Sequence, residues 1–424
     1  MLEMVISDKL RVLAEECERE LAEVFSGFDA VARVNTERVL QAFSELKLSD
    51  RHFAPTTGYG YDDDGRELCD KAFASVFGAE SGFVRHSIVS GTHALGIGLY
   101  ALLRPADTML SVTGAPYDTL EGVLGYDTEG NAVNDGSGSL ADFGVKYSKI
   151  ELLPDEKGGG IDFDAVKHRL ATDKSIKVVY VQRSKGYATR KTLSVSEIDE
   201  LFELVRSVSN AFLVVDNCYG EFVEEREPKA DLLIGSLIKN PGGGIAESGA
   251  YLVGTKRAVD LAAARLTVPA IGLECGASLG QTKGMIKGLF FAPHAVAQAL
   301  KTAAFASALF KKLGYKVSPE PLEKRYDIIQ TVSLAGEEEI CAFCRGLQSG
   351  SPVDSYVAPE PWDMPGYNDR VVMAAGAFTQ GSSLELSADA PIRPPFTVFM
   401  QGGLTYESGR YGVLKAAQAV IDNN

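Results

Sequence analysis

A chain of 424 residues with 45% hydrophobic and 23% charged residues can bury a large core, and its length suits two domains. A net charge of −15 speaks against nucleic acid or an anionic membrane surface as partner, since both demand clustered lysine and arginine; any bound anion must be held locally. The N-terminus lacks a basic and apolar leader, and no apolar run approaches the roughly 20 residues of a membrane span, so a cytoplasmic protein is expected.

Residues 7–47 carry apolar positions at helical spacing. The loop Thr57-Gly58-Tyr59-Gly60-Tyr61-Asp62-Asp63-Asp64-Gly65-Arg66 follows. Its three aspartates read as a solvated loop rather than a hard-cation cage, and no metal site is expected. From there to about residue 283 short apolar runs alternate with helical stretches, the pattern of an α/β domain with a mostly parallel central sheet. The strand candidates are Thr108–Val112, Lys146–Leu152, Lys177–Gln182, Ala211–Asp216, Asp231–Gly235 and Ala250–Gly254, several of them β-branched runs suited to burial on both faces. Between them, Ser194 with Glu197 three residues on predicts a capped helix that continues through Ile198, Leu201, Phe202 and Val205.

Pro293 and His294 interrupt the apolar run Leu289–Leu300, and a helix is expected from about Ala295 to Leu313. Short strands at Asp327–Leu334 and Arg370–Ala374 then indicate a smaller α+β C-terminal domain. The expected division is 1–50, an N-terminal helical segment; 51–295, the large domain; and 296–424, the small domain. Six cysteines are too sparse for a disulfide scaffold, and Cys341 and Cys344 read as ordinary helix residues with no second pair to complete a zinc site.

In a parallel sheet, ligands lie beyond the carboxyl ends of the strands, where the notable polar residues fall. Ser90-Gly91-Thr92-His93 precedes the helical stretch Ala94–Leu103 and is either a simple cap or a phosphate cradle. Tyr117 stands where its ring can stack on a flat cofactor or merely pack. Gln182-Arg183-Ser184-Lys185-Gly186-Tyr187 either faces the cofactor or forms a solvated basic loop. Asp216 ends a hydrophobic strand and needs a partner if buried. Lys239 follows in Ser236-Leu237-Ile238-Lys239-Asn240-Pro241-Gly242-Gly243-Gly244, where close backbone approach is possible. An acid at a strand end and a lysine in the next Ser/Gly-rich turn suit pyridoxal phosphate: the carboxylate keeps the pyridine nitrogen protonated and the amine forms the Schiff base. Desolvation and nearby cations are expected to lower the pKa of Lys239.

The order Ser90-Gly91-Thr92, Pro116-Tyr117-Asp118-Thr119, Val215-Asp216-Asn217, Ser236-x-x-Lys239 resembles the fold type I pyridoxal-phosphate enzymes of cysteine and methionine metabolism. The strings at 58–67, Gln182-Arg183-Ser184, Lys239–Gly243 and Gln401-Gly402-Gly403-Leu404-Thr405-Tyr406 are similar to the branch labelled methionine gamma-lyase-like or aluminium-resistance proteins. The resemblance implies that Lys239 carries the cofactor, Asp216 meets its ring nitrogen, Tyr117 stacks on the ring, and Gly91, Thr92 and Ser236 hold the phosphate; Ser90 and Arg183 join them as candidate cofactor contacts from the residue reading. It also implies a homodimer or homotetramer in which Tyr59 or Tyr61 and Arg66 reach a neighbour's phosphate, and a C-terminal arginine that clamps the carboxylate of a small amino-acid substrate. Arg393 is the candidate, with Arg370 and Arg410 as alternatives. The implied activity is carbon–sulfur elimination from cystathionine, cysteine or methionine, Lys239 acting as base and Tyr117 or Tyr59 protonating the leaving sulfur. Aminotransfer, decarboxylation and retro-aldol cleavage share the same carbanion and stay open. A nucleotide-binding protein is disfavoured by the lack of a G-x-x-x-x-G-K-[ST] sequence.

Overall fold

The computed structural model describes residues 5–127, 130–133, 135–364 and 369–423. Strands β1 (Ser81–Arg85), β2 (Thr108–Ser111), β3 (Lys146–Lys149), β4 (Ile176–Gln182), β5 (Phe212–Asp216), β6 (Leu232–Ser236) and β7 (Ala250–Gly254) form one sheet in the order β1-β7-β6-β5-β4-β2-β3. Only β7 runs against its neighbours. The β-branched runs explain the burial, because alternate residues serve two cores. Val179, Val181, Leu213, Val215 and Leu233 face one side, where they meet the helices Asp64–Val76, Val195–Val208 and Thr282–Lys312. Val178, Tyr180, Val214, Leu232 and Ile234 face the other, against the helices Gly91–Leu102 and Lys256–Leu266. Ser194 caps its helix as expected: its Oγ accepts the Glu197 N–H at 3.2 Å, and Glu197 Oε2 accepts the Ser194 N–H at 3.0 Å.

A second, wholly antiparallel sheet holds β8 (Lys316–Ser318), β9 (Gln330–Ser333), β10 (Val371–Ala374), β11 (Ser387–Pro391) and β12 (Thr397–Gln401) in the order β10-β11-β12-β9-β8. Its core includes Val332, Val372, Ala388 and Val398 from the strands and Phe343, Cys344, Leu347 and Val413 from the helices Glu337–Ser349 and Tyr406–Asn423. Cys341 and Cys344 are both buried in the first of these helices.

The structure departs from the sequence reading in the helix bounds, the domain division and the N-terminal segment, and the strands expected at Lys146–Leu152 and Asp327–Leu334 are shorter, ending up as Lys146–Lys149 and Gln330–Ser333. Pro293 lies inside the helix Thr282–Lys312 instead of preceding it. Its missing N–H and its ring weaken a helix, but Leu289, Ala292 and Val296 around it are buried in the large core, and packing outweighs propensity. The same helix crosses the expected 295/296 division, contributing Leu300 to the large core and Ala304, Phe305 and Phe310 to the small one. The N-terminal segment does not stand apart either: Leu10, Ala14 and Cys17 of the helix Asp8–Glu20 belong to the small-domain core. Among the described residues no helix is long and apolar enough to cross a membrane.

Candidate active site

The carboxyl ends of β4, β5 and β6 and the small sheet's β11 and β12 enclose a cavity of about 290 Å³. Ser90, Gly91, Thr92, Tyr117, Asp216, Ser236 and Lys239, all singled out in the sequence, line it, with Gln182, Ser184 and Gly186 of the Gln182–Tyr187 segment. Ser90 does cap the helix Gly91–Leu102, its Oγ accepting the His93 N–H at 3.0 Å, while Thr92 Oγ1 meets Thr119 Oγ1 at 2.7 Å. The buried Ser236 Oγ has no hydrogen-bond partner among the described residues, which is costly unless a ligand supplies one. Gly91 keeps the wall open beside it, since a Cβ there would already touch Cys218 Sγ at 3.4 Å. A helix N-terminus, a free hydroxyl and a glycine together suit a phosphate group.

Tyr117 is held from two directions. Its N–H donates to Gln182 Oε1 at 2.7 Å, and its ring meets Tyr187 edge-on with centroids 5.5 Å apart. Gly186 permits this: its φ is +56°, and a Cβ there would lie 3.1 Å from the Tyr117 ring. Gly186→Ala is therefore expected to lower stability by about 1–2 kcal/mol through backbone strain and crowding, as read from denaturant unfolding.

Lys239 stands on a turn that only glycine closes, since a Cβ at Gly242 would overlap the Leu237 carbonyl oxygen at 1.7 Å. Asn240 ties that turn to the loop after β5, its Nδ2 donating to the carbonyls of Tyr219 at 3.0 Å and Glu221 at 2.9 Å. Tyr219, at φ +74°, brings its hydroxyl to 2.9 Å from Lys239 Nζ and its ring under the amine, 4.4 Å from centroid to nitrogen. Such a backbone conformation costs a non-glycine residue energy and persists where the surroundings enforce it.

Contrary to the sequence expectation, Lys239 is held above the usual lysine range. Burial pushes it down, but Tyr219, Cys218 and Asp389 favour the ammonium and outweigh that effect. Burial pushes Asp216 upward, although its Oδ1 accepts the Cys218 N–H at 3.1 Å. Asp216 forms no ion pair among the described residues, so a cationic ring nitrogen would complete it. The site thus fits a flat, phosphorylated pyridine ring.

Other predicted residues lie elsewhere. Arg183 is fully buried behind the cavity: its guanidinium donates to Asn217 Oδ1 at 2.8 Å and pairs with Glu224 at 3.0 Å and Glu227 at 3.4 Å. Tyr59 and Tyr61 are 73% and 60% exposed and lie against each other on the surface. Arg66 is buried, donating to the carbonyls of Gly60 at 2.6 Å and Gly276 at 2.7 Å. Asp63 is not solvated: it is buried and caps the helix Asp64–Val76 by accepting the Arg66 N–H at 2.8 Å. Arg393 pairs with Asp369 at 2.5 Å, Arg370 with Glu337 at 3.3 Å and Arg410 with Glu18 at 2.8 Å, and none of the three arginines lines the cavity. Sequence reasoning passed over Tyr219 and Asp389. The first follows Asp216 closely in the chain and was within reach of the argument; the second comes from the other domain, and only the fold brings it here.

The model of the methionine gamma-lyase family matches residues 10–421. The chain is 46% identical over 416 residues to the uncharacterized protein YnbB of Bacillus subtilis, an alignment covering 97% of this chain and 96% of that one. Among solved structures, the carbon-sulfur lyase involved in aluminum resistance from Clostridium novyi is 44% identical, with a TM-score of 0.92 over 97% of this chain and 96% of its own. The pyridoxal-5'-phosphate dependent protein YhfS from Escherichia coli, at 14% identity and a TM-score of 0.60 over 93% and 96% of the two chains, shares the fold.

Proposed function

Because this chain belongs to the methionine gamma-lyase family, we propose that it is a pyridoxal-phosphate-dependent carbon–sulfur lyase acting on a sulfur amino acid such as cystathionine, cysteine or methionine. The observation that carries this reading is the opening of Asp216 and Lys239 onto one cavity whose walls also supply a phosphate cradle and the Tyr117 ring. When bound, the cofactor supplies an electron sink for the charge left at the substrate Cα. Asp216 would face its ring nitrogen, Ser90, Gly91, Thr92 and Ser236 its phosphate, and Tyr117 its ring.

The remaining work belongs to side chains. Lys239 takes the Cα proton as base. The Tyr219 hydroxyl, 2.9 Å from Nζ, accepts a hydrogen bond from the resulting ammonium and steadies it until the sulfur departs. The sulfur takes a proton from the Lys239 ammonium or from the hydroxyl of Tyr117, both residues of the cavity lining. Cleavage releases a thiol, and hydrolysis of the remaining unsaturated amino acid by one water yields a 2-oxo acid and ammonia. The exposed Tyr59 and Tyr61 support assembly as a homodimer or homotetramer in which this loop approaches a neighbouring cavity.

Visible absorption of the purified protein with and without borohydride, followed by a screen of sulfur amino acids for 2-oxo acid release, tests the reading. A yellow protein that releases 2-oxo acid supports it; a colourless one that regains no absorption with added pyridoxal phosphate ends it. Asp216→Asn is expected to weaken cofactor binding about tenfold or more, the loss of one charge-assisted hydrogen bond, as measured by titration of the apoprotein.

A further inference from the structure

Behind one wall of the cavity lies a group of charges that the chemistry above does not use. Ser184 and Gly186 line the cavity, whereas Lys185 between them does not and is only 4% exposed. The loop that carries it is tied to the small domain: Ser184 Oγ donates to Asp327 Oδ2 at 2.8 Å, and Thr192 Oγ1 donates to the same oxygen. Asp327 Oδ1 accepts the Ile329 N–H at 3.1 Å. Arg190 folds back over this loop, its Nη2 donating to the carbonyls of Gln182 at 2.9 Å and Ser184 at 2.5 Å. From the small domain comes Arg325, 3% exposed, which uses only Nη2, on Gln330 Oε1 at 2.6 Å and the Ala303 carbonyl at 3.4 Å. Its Nε and Nη1 are buried with no partner among the described residues. Such idle donors are rare in a folded interior and call for a ligand.

None of these three cations forms an ion pair among the described residues, although each lies within electrostatic reach of Asp327. Burial pushes both guanidiniums down to about 10, which leaves them charged at neutral pH, and pushes Lys185 down as well. The carboxylates do not balance them. Asp327 faces all three, Glu323 is felt by Lys185 and Arg325 from the surface, and Asp216, felt by Arg190, is committed to the cofactor's ring nitrogen. Water satisfies an idle N–H but not an excess of positive charge, which is strongly destabilising where it is enclosed. We propose that Lys185, Arg190 and Arg325 form a binding site for a small monovalent inorganic anion such as chloride, held at the junction of the two domains. The phosphate cradle at Ser90, Gly91 and Ser236 is a different site, built on other elements. Gly186 of the same loop packs against the Tyr117 ring, so the anion steadies a wall of the active site together with the join between domains.

The test is a chloride titration of the purified holoenzyme at constant ionic strength, with the bulky anion gluconate making up the difference. Thermal unfolding is expected to move upward by about 2 °C or more and to level off as the site fills, because a ligand that binds only the folded state stabilises it. Lys185→Met keeps the length of the side chain and removes its charge. That variant is expected to be at least as stable as wild type in gluconate, where it deletes an unpaired cation, and to lose most of the response to chloride. A wild-type midpoint that follows ionic strength whatever the anion overturns the proposal, and so does a Lys185→Met protein that responds to chloride as wild type does. Chloride NMR line broadening on the wild-type protein gives a second measurement that needs no variant. Broadening that saturates and is displaced by bromide supports the site; none beyond that produced by the unfolded protein overturns it.

Discussion

Replacing Lys239 with alanine is expected to reduce turnover about 10³-fold or more and to abolish the cofactor label that borohydride fixes in the wild-type protein. One side chain serves as covalent anchor and as base, and each role alone is worth orders of magnitude. The backbone around it does not depend on the amine: the turn is closed by Gly242 against Leu237 and pinned by Asn240 to the carbonyls of Tyr219 and Glu221. The variant should therefore fold and leave a void beneath the Tyr219 hydroxyl, which has lost its neighbour at 2.9 Å. A small amine such as methylamine should enter that space and recover part of the activity, which separates loss of the nitrogen from loss of structure. A variant that still fixes the label under borohydride would show that another lysine carries the cofactor.

Much of this site was legible because it follows from chain topology. Strand ends in a parallel sheet converge, so Ser90, Tyr117, Asp216 and Ser236 meet from the order of strands and helices alone. What failed was the finer reading of strand parity. Along β4, Val178 and Tyr180 face the same side as Val214 of β5, and continuing that alternation places Gln182 and Asp216 on the cavity wall. Arg183 and Asn217 are one residue out of phase and point to the opposite side, where they bond to each other. The argument needed only the period of two, yet the charge of Arg183 drew more weight than its register. Strand β1 escaped notice for a different reason. Ser81 and Gly82 are poor strand formers, but a Cβ at Gly82 would lie 2.5 Å from Val253 Cγ1, so the glycine serves close strand packing. Asp389 and the small-domain wall could not be read in advance, because sequence patterns do not place one domain's strands against another's.

The parity of Arg183 leads to the largest expected loss of stability. Arg183→Met is expected to destabilise the fold by about 3–5 kcal/mol in denaturant unfolding, because it breaks a buried ionic network by removing its cation. Glu227 would keep only neutral donors, the Asn217 amide at 2.9 Å and the Phe222 N–H at 2.8 Å. Glu224 would retain the more distant Lys324 at 3.7 Å. Glu221, held upward chiefly by burial and also by the charge of Glu227, would lose the opposing influence of Arg183. The Glu221 carboxyl in the folded variant is then held still further above its unfolded value, and the folded state takes up a proton that the unfolded state does not. Stability of the variant should consequently fall as pH rises, and its deficit against wild type should shrink on acidification from neutrality. A solvated basic loop, the alternative reading of this segment, would give a change within about 0.5 kcal/mol and no such pH dependence. Because Asn217 adjoins Asp216 in the chain and bonds to Arg183, the substitution should also weaken cofactor binding, through displacement of the strand end rather than loss of a contact.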